Sequence, residues 1–330
     1  MTVLIITKSD DNESIDLISE AIKLKGGRSF RLDTDRYPTE VRLIAEYLRG
    51  AERLRLISAE GELDLHQVGA IWHRRLNIGG GIPASLDPQL RLASIGESNR
   101  TLRGMLESLT AFRLDPEANI RHAENKQVQL QVARELGLET PRTLITNDAA
   151  AVRAFAQTCA GNIVTKMLSS FAVYEDGREK VVFTNPVTKE DLADLEGLSL
   201  CPMTFQEQIP KLLELRVTVV GDQVFSAAIN SQVSAAAQHD WRRDGVALLE
   251  AWQRYQLPTE VEERLLKLMD RFRLNYGAVD FILTPDGRHV FLEINPVGEF
   301  FWLETVPGLP ISAAIADVLL GLAVRRGSAG

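Results

Sequence analysis

Three oxygen-bearing side chains stand inside otherwise apolar stretches near the C-terminal end: Asp280 in YGAVDFIL, and Glu293 and Asn295 in HVFLEIN. Two carboxylates and an amide oxygen are hard ligands. They suit a Mg²⁺ ion that keeps some waters and also takes phosphate oxygens. Leaving such groups in apolar strands is costly unless a partner or ligand offsets the desolvation. Strand alternation puts Ala278, Asp280 and Ile282 on one face, and Val279, Phe281 and Leu283 on the other. In the second stretch Phe291, Glu293 and Asn295 share a face, opposite Val290, Leu292 and Ile294. With Pro285-Asp286-Gly287 as the turn, Asp280, Glu293 and Asn295 converge at neighbouring strand ends. The alternative is a hairpin whose polar residues simply face water.

Basic side chains elsewhere could meet an anion. Lys126 falls near the start of a helical stripe (Val128, Val132, Leu136), where the helix dipole disfavours a cation, so an external anion such as a phosphate is one partner. Lys166 sits in Ile163–Leu168, sharing a strand face with Val164 and Leu168; either an anionic ligand or a snorkelling edge position would relieve its desolvation. Arg216 shares a hairpin face with Glu214. Arg74-Arg75 follow a short buried strand and could grip a carboxylate or phosphate, or form a solvated basic turn. The loop Gly79-Gly80-Gly81 reads as flexible rather than as a phosphate cradle, because no G-x-x-x-x-G-K-[ST] or G-x-G-x-x-G pattern occurs.

The elements that must position these residues follow from hydrophobic period. Val3–Thr7, Ser29–Leu32 and Val68–Trp72 read as strands, with a helical stripe from Ile15 to Leu24 that Gly26-Gly27 ends. Leu86 to Leu109 is helical, and Asp115-Pro116 marks a boundary. A hairpin spans Val173 to Val187, before a short acidic helix opened by Thr188 that carries Asp191. Strands are expected at Met203–Ile209, Leu215–Val220 and Gln223–Ile229, and a helix at Thr259–Phe272 turns Val261, Leu265, Leu268 and Phe272 inward. The expected division is 1–115, 116–200 and 201–330, an α/β lobe followed by two α+β lobes.

Composition excludes several classes. With 330 residues, 45% hydrophobic and 25% charged, the chain is an ordinary globular one with ample core. A net charge of −8 argues against nucleic acid as a partner. The apolar tract Ile311–Val324 is too short to span a bilayer and contains Asp317, so no membrane association is expected. Two cysteines without metal-type spacing fit reduced thiols in a cytoplasmic protein.

In chain order, Asn125-Lys126, Ile163-Val164-Thr165-Lys166, Thr204-Phe205-Gln206-Glu207, Glu214-Leu215-Arg216, Gly277-Ala278-Val279-Asp280 and Leu292-Glu293-Ile294-Asn295-Pro296 resemble the ATP-grasp ligases. The strings NPVGEFFW, MTFQEQIPK, TKMLS and PVTKEDL are similar to the branch of macrocyclases that make microviridins and other graspetides, itself akin to ribosomal-protein glutamate ligases. The resemblance covers nearly the whole chain.

It implies an ATP-grasp fold and an enzyme using ATP and Mg²⁺. Such an enzyme activates Asp or Glu side chains of a ribosomal precursor peptide as acyl phosphates, for attack by Thr or Ser hydroxyls. The products are ω-esters, ADP and phosphate. An ω-amide-forming cyclase, or a ligase adding amino acids to a peptide tail, is the alternative. Lys126 and Lys166 would meet the phosphates. Glu207, Gln208 and Ile209 would hold the adenine and Glu214 the ribose. Asp280, Glu293 and Asn295 would bind metal, and Arg216 would face the γ-phosphate or acyl phosphate. Asp191 would pair with the leader peptide, and Arg74, Trp241 and Arg242 would contact the acidic core. A homodimer is implied by resemblance alone. Two departures are visible: Leu168-Ser169-Ser170-Phe171 lacks the usual glycines, and Asn230-Ser231-Gln232 stand where amino-acid ligases carry basic residues.

Overall fold

The computed structural model describes residues 1–167, 172–175, 178–181, 184–233 and 248–326, with side chains omitted for 168–183. The chain opens with β1 (Thr2–Thr7), α1 (Ser14–Leu24) and β2 (Arg28–Asp33). A meander of β3 (Arg42–Leu48), β4 (Ala51–Ser58) and β5 (Gly61–Asp64) follows, then β6 (Val68–His73), the long α2 (Pro88–Ser108) and β7 (Phe112–Arg113). The parallel sheet runs in the order β2-β1-β6-β7. β1 is buried along its whole length, as a parallel strand covered on both faces must be. Val3 and Ile5 point toward α1, while Leu4 and Ile6 point toward the meander and α2.

The glycine loop after β6 is packed rather than free. Gly79 N–H and Gly81 N–H donate to the carbonyls of Tyr37 and Asp35, and a Cβ on Gly81 would stand 2.9 Å from that Asp35 carbonyl oxygen. Close backbone approach is therefore what requires the glycine there. The three-stranded meander is not among the strands expected from the sequence.

Two short helices, α3 (Glu117–Ala123) and α4 (Lys126–Glu135), lead into β8 (Thr143–Thr146), α5 (Ala149–Thr158) and β9 (Ile163–Lys166). The backbone pairs β10 (Ala172–Glu175) with β11 (Arg178–Val181) as the expected hairpin, followed by β12 (Asn185–Pro186), α6 (Lys189–Ala193) and β13 (Met203–Glu207). The turn residues 176–177 and the glycine-free segment 168–171 lie outside the described residues. The middle sheet has the order β12-β9-β13-β8 and packs on α5 through Val152, Ala156 and Phe205.

The last sheet, β16-β15-β14-β17-β18, is built from β14 (Leu213–Val220), β15 (Gln223–Ile229), β16 (Gln253–Tyr255), β17 (Tyr276–Leu283) and β18 (His289–Asn295). Between β16 and β17, α7 (Thr259–Phe272) buries Leu265, Leu268, Met269 and Phe272 against one sheet face. Each such side chain contributes about 1.5–3 kcal/mol of transfer free energy. At its base the other face meets the N-terminal sheet through α8 (Phe301–Thr305) and α9 (Ile311–Leu320), which packs on α1.

In this last sheet strict alternation fails in β18. Asp280 pairs with Glu293 and Phe281 with Phe291, so Leu292 is an extra residue in a β-bulge. The bulge overturns the expected faces of this strand. Phe291 joins Ile294, Val279 and Phe281 in the core under α7, while Val290 and Leu292 pack with Ile282 and Ile209 on the opposite side. Glu293 and Asn295 keep the face of Asp280, because they lie beyond the bulge.

Candidate active site

The middle and C-terminal sheets face each other across a cavity of about 560 Å³. Val164 and Lys166 come from β9, Gln206 and Glu207 from β13, and Gln208 to Lys211 from the link that follows. Glu214, Asp280, Ile282, Leu292 and Glu293 supply the opposite wall. An apolar floor flanked by a few convergent charges is the usual form of a small-molecule site. Of the expected residues, the structure therefore gathers Lys166, Glu207, Gln208, Ile209, Glu214, Asp280 and Glu293 around one cavity.

Lys126 and Arg216 stand behind that lining and reach it through its charges, whereas Asn295 is not part of it. Lys126 Nζ lies 3.3 Å from Glu293 Oε2, and Lys166 Nζ lies 3.8 Å from the same oxygen. Lys126 also sits 3.4 Å from the Ile294 carbonyl oxygen, so the cation at the start of α4 is met by β18 despite the unfavourable dipole. Asn125 caps that helix, its side-chain oxygen accepting from Gln127 N–H and Val128 N–H. Arg216 is paired across the strand with Asp280, and its Nη1 donates to Asp280 Oδ1 at 2.9 Å. Its second nitrogen, Nη2, donates to the Glu299 carbonyl at 2.9 Å, and the guanidinium lies 5.8 Å from the Trp302 ring centroid.

Asp280 and Glu293 are direct cross-strand neighbours, and Asn295 lies two residues further along the same face, opposite Ala278. Among the described residues no group of three or more His, Cys, Asp or Glu stands together. The oxygen donors are thus two carboxylates and one amide, and Asn295 Oδ1 already accepts from Val297 N–H at 3.1 Å. That donor set still fits a hard divalent cation that completes its shell with water and phosphate.

Glu207 lines the cavity, but its carboxylate is held by a two-point bond from Arg142, both contacts at 3.0 Å. The bonds from Arg142 hold the carboxyl below its usual range. The backbone N–H groups of Glu207 and Gln208 are taken as well, donating to the carbonyls of Arg142 and Asn162. Glu214 pairs with Lys211 at 2.9 Å.

Asp191 is exposed, and one of its oxygens accepts from Thr188 N–H and Oγ1 in a capping box, which lowers its pKa. Trp241 and Arg242 lie outside the described residues. Arg74 is placed otherwise than a peptide-contacting residue would be: only 4% exposed, it donates to the Val297 carbonyl at 2.6 Å and pairs with Glu299.

Gln129 was missed by the sequence reading. Fully buried in α4, it donates to the carbonyls of Ala123 and Ile294 and accepts from Ile294 N–H, pinning β18 between Glu293 and Asn295. A glutamine between Val128 and Val132, on the buried side of the stripe, was the available signal.

Comparison with known proteins gives the family. Residues 2–121 match the model of the MvdD pre-ATP grasp domain. The macrocyclase MdnC of Microcystis aeruginosa MRC, solved with its precursor peptide MdnA, is 52% identical over 97% of this chain and 100% of its own, with a TM-score of 0.87. A RiPP-associated ATP-grasp ligase of Chryseobacterium gregarium, solved with ADP and a leader and core peptide, is 40% identical over 98% of both chains, at a TM-score of 0.94. The macrocyclase MdnB of Microcystis aeruginosa MRC is 40% identical over 97% of this chain and 99% of its own, at 0.80. Comparison with curated protein sequences gives no match. Identity at this level over nearly the full length, on a fold that closes two sheets around a charged cavity, places the chain in the ATP-grasp family of microviridin-type macrocyclases.

Proposed function

We propose that this protein is an ATP- and Mg²⁺-dependent macrocyclase of a ribosomally made precursor peptide, forming ω-ester rings between core Asp or Glu and Thr or Ser. The observation that carries the reading is the convergence of Lys126 and Lys166 on Glu293, and of Arg216 on Asp280, beside one cavity with an apolar floor. Four anionic groups (two metal-ligand carboxylates, the triphosphate and the substrate carboxylate) can share such a site only among cations.

In the first step a core carboxylate oxygen bonds to the γ-phosphorus of ATP. The bond from that phosphorus to the β,γ-bridging oxygen breaks, and ADP leaves. In the second, a hydroxyl oxygen bonds to the acyl carbon, the acyl carbon–oxygen bond to phosphate breaks, and the hydroxyl proton leaves with phosphate or to water. The peptide loses one water per ring. Lys126 and Lys166 hold phosphate oxygens, and the Glu207–Ile209 link and Glu214 orient adenine and ribose. Arg216 offsets charge on the acyl phosphate. Asp280, Glu293 and Asn295 would hold Mg²⁺, which when bound would supply charge neutralisation to the phosphates. A hydroxyl needs no dedicated base if it is held against so reactive an acyl group.

The hairpin β10–β11 and α6, with Asp191, take the leader peptide, and Arg242 and Trp241 meet the acidic core. The MdnC and Chryseobacterium relatives, solved with precursor or leader and core peptides, support this assignment of partner.

The ester assignment is tested by treating the cyclised product with mild alkali. Ester rings regain one water each, whereas rings that survive would be amides and would overturn the hydroxyl as nucleophile.

A further inference from the structure

The geometry points to Glu299 as a positioning residue for Arg216, with Arg74, Arg75 and Asn12 of the N-terminal lobe as its anchors. This rests on the macrocyclase reading and adds to it a support that reaches the reacting end of the cleft from outside it.

Glu299 ties the N-terminal lobe to the turn that follows β18. Its carboxylate takes Arg74 on one oxygen and Arg75 on the other, and Asn12 Nδ2 donates to it at 2.5 Å. Its backbone carbonyl is what Arg216 Nη2 holds, while Arg216 Nη1 holds Asp280. Arg216 thus has one hand on a proposed metal ligand and the other on the residue that the N-terminal lobe grips.

The whole turn after β18 is fixed in the same way. Asn295 Oδ1 accepts from Val297 N–H, Arg74 takes the Val297 carbonyl, and the Tyr276 hydroxyl donates to the Gly298 carbonyl at 2.6 Å. No side chain fits at Gly298, where a Cβ would stand 2.7 Å from Arg216 Nη2 and 2.5 Å from the Ala278 Cβ. Behind the arginines, the buried Asp11 lies 3.9 Å from Arg74 Nε and 3.4 Å from Arg75 Nε, and accepts from Thr7 Oγ1 at 2.5 Å. Arg74 and Asp11 are sealed from water, so loosening either strands the other, while Arg75 and Glu299, 39% and 26% exposed, hold geometry through their mutual contact. The adenine wall, at Glu207 to Ile209, makes none of these contacts.

Positioning separates from simple structural support in kinetics. For the full-length enzyme with precursor peptide, ATP and Mg²⁺, Glu299→Gln is expected to lower kcat for ring formation about 10–100-fold, with KM for ATP within about 3-fold of wild type and full ADP-binding stoichiometry. Arg75→Gln removes one anchor from a partly exposed position, so it stays informative should Glu299→Gln fold poorly. It is expected to lower kcat about 3–10-fold with the same KM. Wild-type kcat in either folded variant, or a loss that merely tracks a loss of ADP-binding sites, overturns the positioning role. A wild-type enzyme that forms no rings overturns the macrocyclase reading and this inference with it.

Discussion

Two clusters of charge face each other across the turn that ends β18, and they are built for opposite purposes. In the cleft, Lys126, Lys166 and Glu293 share contacts of 3.3 and 3.8 Å, with side chains 18–25% exposed along or beside an open cavity. On the other side, Arg74 and Asp11 have side chains 2% and 0% exposed, and Arg74 and Arg75 close on Glu299. The first set is loosely paired beside an open cavity. The second is closely paired: Arg74 and Asp11 are sealed from water, while Arg75 and Glu299 are 39% and 26% exposed, so its charges fix backbone through their contacts. The same residue types line a cavity in one place and serve as scaffold in the other, and closeness of pairing decides which.

The largest way to break this contrast is to remove a cleft carboxylate. Glu293→Ala is expected to cut ring formation by about 10³-fold or more while leaving the melting temperature within a few degrees of wild type; Asp280→Ala is expected to cut it as far and, by stranding the buried Arg216, to lower the melting temperature as well. Turnover by mass spectrometry alongside a thermal melt checks both halves. Wild-type turnover in either variant would remove the metal assignment.

A middle-sized effect is expected from Gln129→Leu, which strands the buried Ile294 N–H beside the cleft. It should cost about 2–3 kcal/mol of stability in a denaturant titration. A loss under about 0.5 kcal/mol would mean that β18 does not depend on α4.

The smallest effect belongs to the exposed Arg142–Glu207 pair. Arg142→Gln should change stability little, since half of the arginine side chain is solvated. The pair lowers the folded-state pKa of Glu207, so its contribution is fully present above the unfolded carboxylate value. It fades as pH falls through the lowered folded value. Stability curves of wild type and variant should therefore converge in acid; curves that stay parallel would assign the difference to something other than Glu207.

How much of this was legible in the sequence differs by kind of contact. The strands carrying Lys166, Arg216, Asp280 and Glu293 were readable because apolar period and turn residues fix them locally. Their convergence followed from alternation, which holds on both sides of Asp280. The bulge at Leu292 was not readable. An extra residue leaves the composition of a strand unchanged, so Phe291 was assigned to the wrong face. The fate of Arg74 was equally hidden, since its partner Glu299 is 225 residues away. A basic pair at a strand end reads the same whether it awaits a peptide or a glutamate distant in sequence. Gln129 lay between these cases: an amide on an apolar stripe signals a buried partner without naming it.

The central claim is that ATP activates a peptide carboxylate in this cleft. The most direct measurement uses a precursor whose core Asp and Glu carboxylates carry ¹⁸O, incubated with the enzyme, ATP and Mg²⁺, with the released phosphate analysed by mass. The account predicts one ¹⁸O in phosphate for each ring formed, because one carboxylate oxygen leaves with the phosphoryl group. Rings formed with unlabelled phosphate would contradict it.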